Sequence, residues 1–266
     1  MPVFTHPDGT QTAYDSVGAG PLLLLIHGAE GTRRSFGRLV PLLSDHFRVV
    51  SYDQRDCGET QNSAAIADLE RLSDDASELL AALDGGFGFV FGTSFGGRVA
   101  QALAIRHPER VKRLALGSTW AVPRTLAELN GNVAAEVGKL RAALPASAPQ
   151  LAEYFFPSDF LAEQPAFRQH FAKAPIRSER SERRGKAVGR ATTLEASQIT
   201  VKTLLLAGGS DRLVPAELTE AMKLDIAGSD CVVLGRLGHV GYIQSPQQVA
   251  DQLILFMADA SNKETV

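Results

Sequence analysis

A strand-like apolar run that ends in a serine between two glycines constrains the fold of this chain more than any other feature. Residues 87–91 are Phe-Gly-Phe-Val-Phe, Gly92-Thr93-Ser94-Phe95-Gly96 follows directly, and a helical pattern begins at Phe95. A Gly-x-Ser-x-Gly motif between a strand and a helix forms a sharp turn that exposes the serine hydroxyl. Ser94 is therefore a candidate nucleophile, and the alternative is an ordinary serine in a glycine-rich surface turn.

Apolar runs alternate with helical patterns along most of the chain. Leu22–Ile26 is apolar throughout, whereas residues 66–83 carry apolar side chains at the 3.6-residue spacing of an amphipathic helix. Uninterrupted apolar strands are typical of a parallel sheet that is covered on both faces. We therefore expect an α/β fold with a mostly parallel central sheet and helices on both faces. Two strands are expected within residues 3–17, further strands at 22–26, 47–53, 87–91, 111–117, 201–207 and 231–234, and helices at 35–43, 66–83, 95–106, 215–226 and 246–257.

The alternation stops in the middle of the chain. Residues 118–198 contain Ala-rich helical segments broken by prolines, and no apolar run there is typical of a buried strand. This pattern predicts a helical cap at 119–198, inserted before the penultimate strand. The α/β core would then consist of residues 1–118 and 199–266.

Two polar residues that follow late strands could activate Ser94. Asp211 comes just after the strand predicted at 201–207, and His239 just after the last strand. A serine hydroxyl needs a base to take its proton, and the base needs an acid to orient it. The carboxyl ends of parallel strands meet at one edge of a sheet, so the fold can bring the three together. The alternatives are that Asp211 caps the helix beginning near Pro215 and that His239 is a turn histidine bonded to backbone.

An oxyanion hole requires two backbone N–H groups aimed at the developing negative charge. Phe95 is expected to supply one, because it follows the nucleophile. Ala29, in the loop after Leu22–Ile26, is expected to supply the other, with Glu30 as the less favoured choice. His27 is expected to be structural. The remaining histidines lie in turn or surface contexts and are poor candidate bases: His6, His46, His107 and His170.

Composition limits the remaining classes of function. The net charge is −3 without long charge blocks, so nothing indicates a nucleic-acid or membrane partner. Residues 1–9 lack the basic and apolar regions of a secretory signal. Cys57 and Cys231 lie far apart without a partner at metal-ligand spacing, which favours a reduced cytoplasmic protein with no metal. We expect no cofactor, a small-molecule substrate, and a monomer or homodimer.

Five motifs resemble those of the α/β-hydrolase superfamily. They are Leu24-Leu25-Ile26-His27-Gly28, Asp53-Gln54-Arg55-Asp56-Cys57-Gly58, Gly92-Thr93-Ser94-Phe95-Gly96-Gly97, Gly209-Ser210-Asp211-Arg212-Leu213-Val214-Pro215 and Gly238-His239. The resemblance covers nearly all of the chain except the insertion, which corresponds to the variable cap of the family. It implies the α/β-hydrolase fold, a Ser94–His239–Asp211 triad and no cofactor.

Within that superfamily the chain looks most like small cytoplasmic hydrolases such as 3-oxoadipate enol-lactonase and aminoacrylate hydrolase. The Asp53-Gln54-Arg55 turn is also similar to that of proline iminopeptidases. However, the turn that carries Ser94 is Gly-Thr-Ser-Phe-Gly here and not their usual Gly-Gly-Ser-Trp-Gly. One departure stands out, since Asp56 replaces the first glycine of the family's Asp-x-Arg-Gly-x-Gly turn. Aspartate tolerates unusual backbone angles, so we expect a local adjustment there.

The cap is expected to set substrate choice. The predicted pocket residues are Glu30, Trp120, Val214 and Val240, and a buried hinge aromatic is the alternative for Trp120. Residues 177–190 hold six basic side chains interrupted by Glu179 and Glu182. A solvated, salt-bridged helix face is the simpler interpretation of that stretch. The sharper hypothesis is a basic rim that attracts carboxylate substrates.

The resulting prediction is a cofactor-independent serine hydrolase that acts on a small carboxylic ester or lactone. Ser94 would attack the acyl carbon, His239 would carry the proton, and Asp211 would orient the imidazole. Two alternatives use the same pocket. One is a hydrolase of C–C bonds or amides with the same triad, and the other is a small-molecule receptor.

Overall fold

A computed structural model describes residues 2–83, 85–172 and 178–258 of the chain. The strands are β1 (Val3–Thr5), β2 (Gln11–Val17), β3 (Leu22–Ile26), β4 (Arg48–Tyr52), β5 (Gly88–Thr93), β6 (Val111–Gly117), β7 (Thr203–Gly208) and β8 (Asp230–Leu234). The α-helices are α1 (Val40–Leu43), α2 (Leu69–Ala82), α3 (Phe95–Arg106), α4 (Leu126–Leu129), α5 (Gly131–Ala142), α6 (Ala148–Phe155), α7 (Ser158–Glu163), α8 (Glu179–Val188), α9 (Ala216–Glu220), α10 (Gly241–Gln244) and α11 (Pro246–Ala258).

All the strands join one sheet in the order β1-β2-β4-β3-β5-β6-β7-β8. The strands from β4 to β8 in this order pair in parallel, while β1 and β2 form an antiparallel edge. The carboxyl ends of β3, β5, β7 and β8 therefore lie along the same edge of the sheet. The predicted α/β fold with a mostly parallel sheet and an inserted helical cap is confirmed.

The alternating side chains of β3 explain why that strand is apolar throughout. Leu23 and Leu25 pack in the core layer that also holds α11, whereas Leu24 and Ile26 pack in the layer that holds α2 and α3. Successive side chains of a strand point to opposite faces of its sheet. Because both faces are covered by helices, neither face of β3 tolerates a polar side chain.

Several helix boundaries differ from the predictions. Residues 35–43 were expected to form one helix, but Arg33–Phe36 is a 3-10 turn and α1 begins only at Val40, after Gly37. Helix α2 begins at Leu69 because the Asp68 carboxylate accepts a hydrogen bond from the Arg71 N–H at 2.8 Å. The helix predicted at 215–226 is α9 followed by a 3-10 turn, and α10 was not predicted. The strands agree with their predictions within two residues at each end.

Helices α4–α8 follow β6 and precede β7, and no strand occurs among the described residues of this segment. They form the cap, which lies over the loops that follow the parallel strands. For example, a Cβ on Gly238, beyond β8, would lie 2.6 Å from the carbonyl oxygen of Phe155 in α6. In the part of the chain that the structure describes, no helix has both the length and the apolar character needed to cross a membrane.

Candidate active site

Ser94 occupies a strained turn between β5 and α3. Its backbone angles are φ 54° and ψ −126°, a combination that residues with a side chain rarely adopt. The Ser94 N–H donates a hydrogen bond to the Gly117 carbonyl at 2.9 Å, and the Thr119 hydroxyl donates to the Ser94 carbonyl at 2.7 Å. Contacts from the end of β6 and from the segment that follows it therefore hold the strained conformation.

The glycines around Ser94 are required by close approach of the backbone. A Cβ on Gly96 would overlap the carbonyl oxygens of Ile26, the last residue of β3, and of His27, the next residue. A Cβ on Gly97 would lie 2.7 Å from the Thr119 side chain. Because these neighbours are mostly backbone, larger residues would displace the turn itself. The Gly-x-Ser-x-Gly pattern thus reflects the packing of β3 against the start of α3.

His239 lies between Ser94 and Asp211. Its Nδ1 donates a hydrogen bond to Asp211 Oδ2 at 2.9 Å, and its Nε2 is 2.9 Å from Ser94 Oγ. Only 3% of His239 and 6% of Asp211 is exposed. The carboxylate selects the tautomer in which Nε2 is free to accept the hydroxyl proton. The structure thus brings together three residues separated by up to 145 positions in the chain.

Asp211 is held by its own loop rather than by a helix. Its Oδ1 accepts hydrogen bonds from the backbone N–H groups of Leu213 and Val214, both at 2.9 Å. The residue that caps α9 is Pro215, so the alternative in which Asp211 is a helix cap is wrong. Two fixed donors on Oδ1 leave Oδ2 directed at His239. The alternative of a backbone-bonded turn histidine is likewise wrong, because both ring nitrogens of His239 contact side chains.

The loop after β3 lies directly against Ser94. A Cβ on Gly28 would be 3.3 Å from Ser94 Cβ and 3.7 Å from its Oγ. Among the described residues, neither the Ala29 N–H nor the Phe95 N–H donates to a loop or side-chain partner. Ala29 follows Gly28 and Phe95 follows Ser94, so each of these N–H groups is adjacent in the chain to a residue at the hydroxyl.

His27 is buried and neutral. Its Nδ1 donates to the Gly28 carbonyl at 2.8 Å, while the Gln54 N–H donates to its Nε2 at 3.2 Å. Burial, together with the positive charge of Arg184, lowers the pKa of His27 from 6.5 to about 4. Nδ1 thus stays within the loop after β3 and Nε2 joins that loop to the loop after β4, which is a structural role.

The predicted pocket residues occupy different environments. Trp120 is 4% exposed, and its indole N–H donates to the Arg124 carbonyl at 3.0 Å, so it is a buried aromatic at the start of the cap. Val214 and Val240 are buried, and they follow Asp211 and His239 in the chain by three residues and by one. Glu30 forms an ion pair with Arg141 of α5. A cavity of about 20 Å³ is lined by His239 together with Thr93, Ser118 and Tyr242, among others.

The basic stretch divides into arginines that dock on the core and side chains that face solvent, Lys186 and Arg190. Arg180, Arg183 and Arg184 of α8 all bond to residues of the core, and Arg184 is only 6% exposed. Sequence reasoning missed these contacts. The i, i+3, i+4 spacing of the arginines placed them on one helix face but could not show what that face meets. Arg177 lies outside the described residues.

One group of potential metal ligands, His6, Asp75 and Glu78, occurs among the described residues and includes no residue of the site. Asp75 already forms an ion pair with Arg55, with 2.6 Å between carboxylate and guanidinium, and Glu78 forms one with Arg71 at 2.7 Å. Arginines thus neutralise both carboxylates, and we interpret the group as a network of structural ion pairs.

Comparison with known proteins places this geometry in context. The chain is 30% identical to 2-hydroxymuconate semialdehyde hydrolase of a Pseudomonas species, over 95% of this chain and 92% of that protein. An uncharacterized hydrolase of Bacillus subtilis, YraK, is 36% identical over 105 residues, which span 39% of each protein. Among solved structures, a thermophilic esterase from Thermogutta terrifontis superimposes with a TM-score of 0.80 at 27% identity, covering 96% of both chains.

A family model described as the alpha/beta hydrolase fold matches residues 21–246. The matched segment begins just before β3 and ends at the start of α11, so it includes Ser94, Asp211, His239 and the whole cap. The sheet order and the turn after β5 agree with that assignment. The chain therefore belongs to the α/β hydrolase fold family.

Proposed function

We propose that this hydrolase cleaves a small carboxylic ester or lactone through an acyl-enzyme formed on Ser94. The observation that carries the proposal is the position of His239, whose ring nitrogens lie 2.9 Å from Ser94 Oγ and 2.9 Å from Asp211 Oδ2. The contacts among Ser94, His239 and Asp211 support their roles as nucleophile, base and orienting acid, the arrangement that nucleophilic catalysis by a serine requires.

In the first half of the reaction, Ser94 Oγ attacks the acyl carbon while His239 Nε2 takes the hydroxyl proton. The imidazolium that forms is stabilised by the buried Asp211 carboxylate. The carbonyl oxygen becomes an oxyanion, which accepts hydrogen bonds from the N–H groups of Ala29 and Phe95. The tetrahedral intermediate then collapses, and His239 returns the proton to the departing alcohol oxygen.

In the second half, water replaces the alcohol beside His239. His239 Nε2 takes a proton from this water as its oxygen attacks the acyl carbon, and the same two N–H groups hold the second oxyanion. Collapse releases the carboxylic acid, and the proton returns from His239 to Ser94 Oγ. For a lactone, the alcohol and the acid remain parts of one product molecule.

Hydrolysis of a C–C bond is the second candidate, and one relative favours it. The 30% identical Pseudomonas protein is named for a semialdehyde, a compound class without an ester bond. Hydrolysis of such a substrate must break a carbon–carbon bond next to a carbonyl group. The triad serves either reaction, so the ester proposal is favoured only by the esterase that superimposes at 27% identity. The expected cytoplasmic location stays a prediction that rests on the free cysteines Cys57 and Cys231.

A substrate panel with matched variants tests the proposal. We expect the parent protein to turn over p-nitrophenyl acetate or a small lactone with an initial burst, and a fluorophosphonate to label Ser94. Ser94→Ala should lower kcat by about 10⁴-fold or more and abolish labelling. Ser63→Ala, at an exposed loop serine, should change neither.

The outcomes separate the candidates. Turnover of a vinylogous 1,5-diketone but of no ester or lactone would replace the proposal by C–C hydrolysis. Tight binding of these compounds without turnover would indicate a receptor. Labelling of Ser94→Ala at the parental rate would contradict the assignment of the nucleophile.

A further inference from the structure

Helix α8 of the cap docks onto the core through arginines on one of its faces. The Arg180 guanidinium donates hydrogen bonds to the carbonyl oxygens of Cys57 and Thr60, at 3.1 and 2.8 Å. One turn later, Arg183 donates two hydrogen bonds to Asp56 Oδ1, at 2.9 and 2.7 Å. These contacts fix the height and rotation of α8 over the loop after β4.

The next arginine of this face reaches both residues that supply the proposed oxyanion hole. Arg184 Nε donates to the Ala29 carbonyl at 3.1 Å, and its guanidinium carbon lies 4.7 Å from the centre of the Phe95 ring. Its Nη2 donates to Gln54 Oε1 at 3.1 Å. The Gln54 amide in turn donates to the His27 carbonyl at 2.6 Å. A single cap side chain thus contacts both sides of the oxyanion hole.

The burial of Arg184 is costly for stability alone. Within the described residues no carboxylate pairs with Arg184, and its Nη1 is buried without a hydrogen-bond partner. Removing a guanidinium from water without a counter-charge raises the free energy of the folded state. An apolar side chain of similar volume would fill the same space over Phe95 without that cost. Because stability alone does not favour a buried arginine here, we look to the oxyanion site for its role. There the guanidinium supplies a positive charge and hydrogen-bond donors in a fixed geometry.

We propose that Arg184 is a positioning residue of the oxyanion hole: the docked cap helix uses it to clamp the Ala29 loop against Phe95. The inference rests on the proposed acyl-transfer function. The bond to the Ala29 carbonyl restrains rotation of the residue whose N–H must point at the oxyanion. The positive charge of Arg184 over the Phe95 ring also stabilises the negative charge of an oxyanion bound by the N–H groups of Ala29 and Phe95. Both effects act on the transition state more than on the bound ester, because only the transition state carries the charge.

The test compares Arg184→Gln and Arg184→Lys with Lys186→Gln, which removes one positive charge at an exposed position of the same helix. For a neutral p-nitrophenyl ester, we expect Arg184→Gln to lower kcat about 10- to 100-fold with KM within threefold, somewhat less than the loss of an oxyanion donor itself. Arg184→Lys keeps the charge but loses the planar fork, so its kcat should be intermediate. Lys186→Gln should stay within twofold of the parent.

A transition-state analogue separates positioning from a merely structural role. The inhibition constant of a trifluoromethyl ketone should rise in Arg184→Gln by the same factor as kcat/KM falls, because both report oxyanion stabilisation. Thermal unfolding of each variant identifies any that fails to fold. If Arg184→Gln does not fold, the kcat of Arg184→Lys is compared with that of the parent instead. The inference is overturned if Arg184→Lys keeps the parental kcat, or if the loss in Arg184→Gln lies in KM alone. A parent that neither turns over esters nor is labelled at Ser94 would instead refute the proposed function.

Discussion

Asp56 of the core and Arg183 of the cap form an ion pair with 2.7 Å between Oδ1 and Nη2. Asp56 has a φ of 61°, in the left-handed region that favours glycine. Asp56 occupies the position of the first glycine in the Asp-x-Arg-Gly-x-Gly turn that is usual in α/β-hydrolases. The aspartate therefore adopts this left-handed conformation, as its tolerance of unusual backbone angles predicts, and its side chain is one of the points at which α8 contacts the core.

This pairing predicts matched effects of Asp56→Asn and Arg183→Gln. Asparagine tolerates a positive φ about as well as aspartate, so Asp56→Asn removes the charge without adding backbone strain. Each variant should lower the melting temperature and speed proteolysis of the cap. The double variant should resemble either single one, because both remove the same interaction. Additive losses in the double variant would show that the two residues act independently.

The buried His27 predicts a loss of stability at mildly acidic pH. Burial and the charge of Arg184 lower the pKa of His27 to about 4 in the folded protein, against 6.5 for an ordinary histidine. As pH falls from about 6.5 to 4, the unfolded chain binds a proton at this position and the folded chain does not. Unfolding is then favoured, with a slope that approaches ~1.4 kcal/mol per pH unit for one proton.

Urea denaturation between pH 4.5 and 7.5 measures that slope. The free energy of unfolding should fall more steeply with acidity in the parent than in His27→Asn, which has no group to titrate. His46→Gln, at an exposed histidine, should keep the parental slope. Partial desolvation also lowers the pKa of His170, an effect in the same direction that all three proteins share. Equal slopes for the parent and His27→Asn would contradict the prediction.

The features that could be predicted from the sequence are those whose signals are local. The apolar run of β3 and the glycines around Ser94 report packing within a few residues, and the position of His239 after a strand follows from the parallel sheet. The contacts of Arg184 could not be predicted, because they depend on how a cap helix meets a loop 155 residues away. An arginine-rich helix has the same pattern whether water or another loop faces it.

Phe155 illustrates the same limit. Its ring packs edge-on against the imidazole of His239, with 5.3 Å between centroids, and nothing in its local sequence marks it as part of the site. It belongs to α6, whose apolar stripe is typical of any helix that covers a core. The cap residues that shape the site therefore emerge only from tertiary contacts.

The Asp211 carboxylate predicts a tautomer effect in Asp211→Asn. The two backbone N–H groups on Oδ1 would hold the amide oxygen, so the amide NH₂ would face His239 Nδ1. Nδ1 would then have to accept a hydrogen bond, and the ring proton would move to Nε2, where it blocks proton transfer from Ser94. We expect kcat for an ester to fall about 10³- to 10⁴-fold with little change in the melting temperature.

The control for that variant is Asp225→Asn, at an exposed aspartate, which should retain the parental rate. The rate of fluorophosphonate labelling should fall in parallel with kcat, since it requires the same activated hydroxyl. Parental labelling in Asp211→Asn would mean that the carboxylate does not set the tautomer of His239.

The strained backbone angles of Ser94 predict that this turn lowers the free energy of unfolding of the protein. Ser94→Ala and Ser94→Gly both remove the hydroxyl and its contact with His239, so both should be inactive. Only glycine adopts a φ of 54° with a ψ of −126° without strain. Ser94→Gly should therefore exceed Ser94→Ala in free energy of unfolding by about 1 kcal/mol, measured by urea denaturation at pH 7. Equal stabilities of the two inactive variants would show that the turn relaxes when the hydroxyl is removed and that Ser94 is not held under strain.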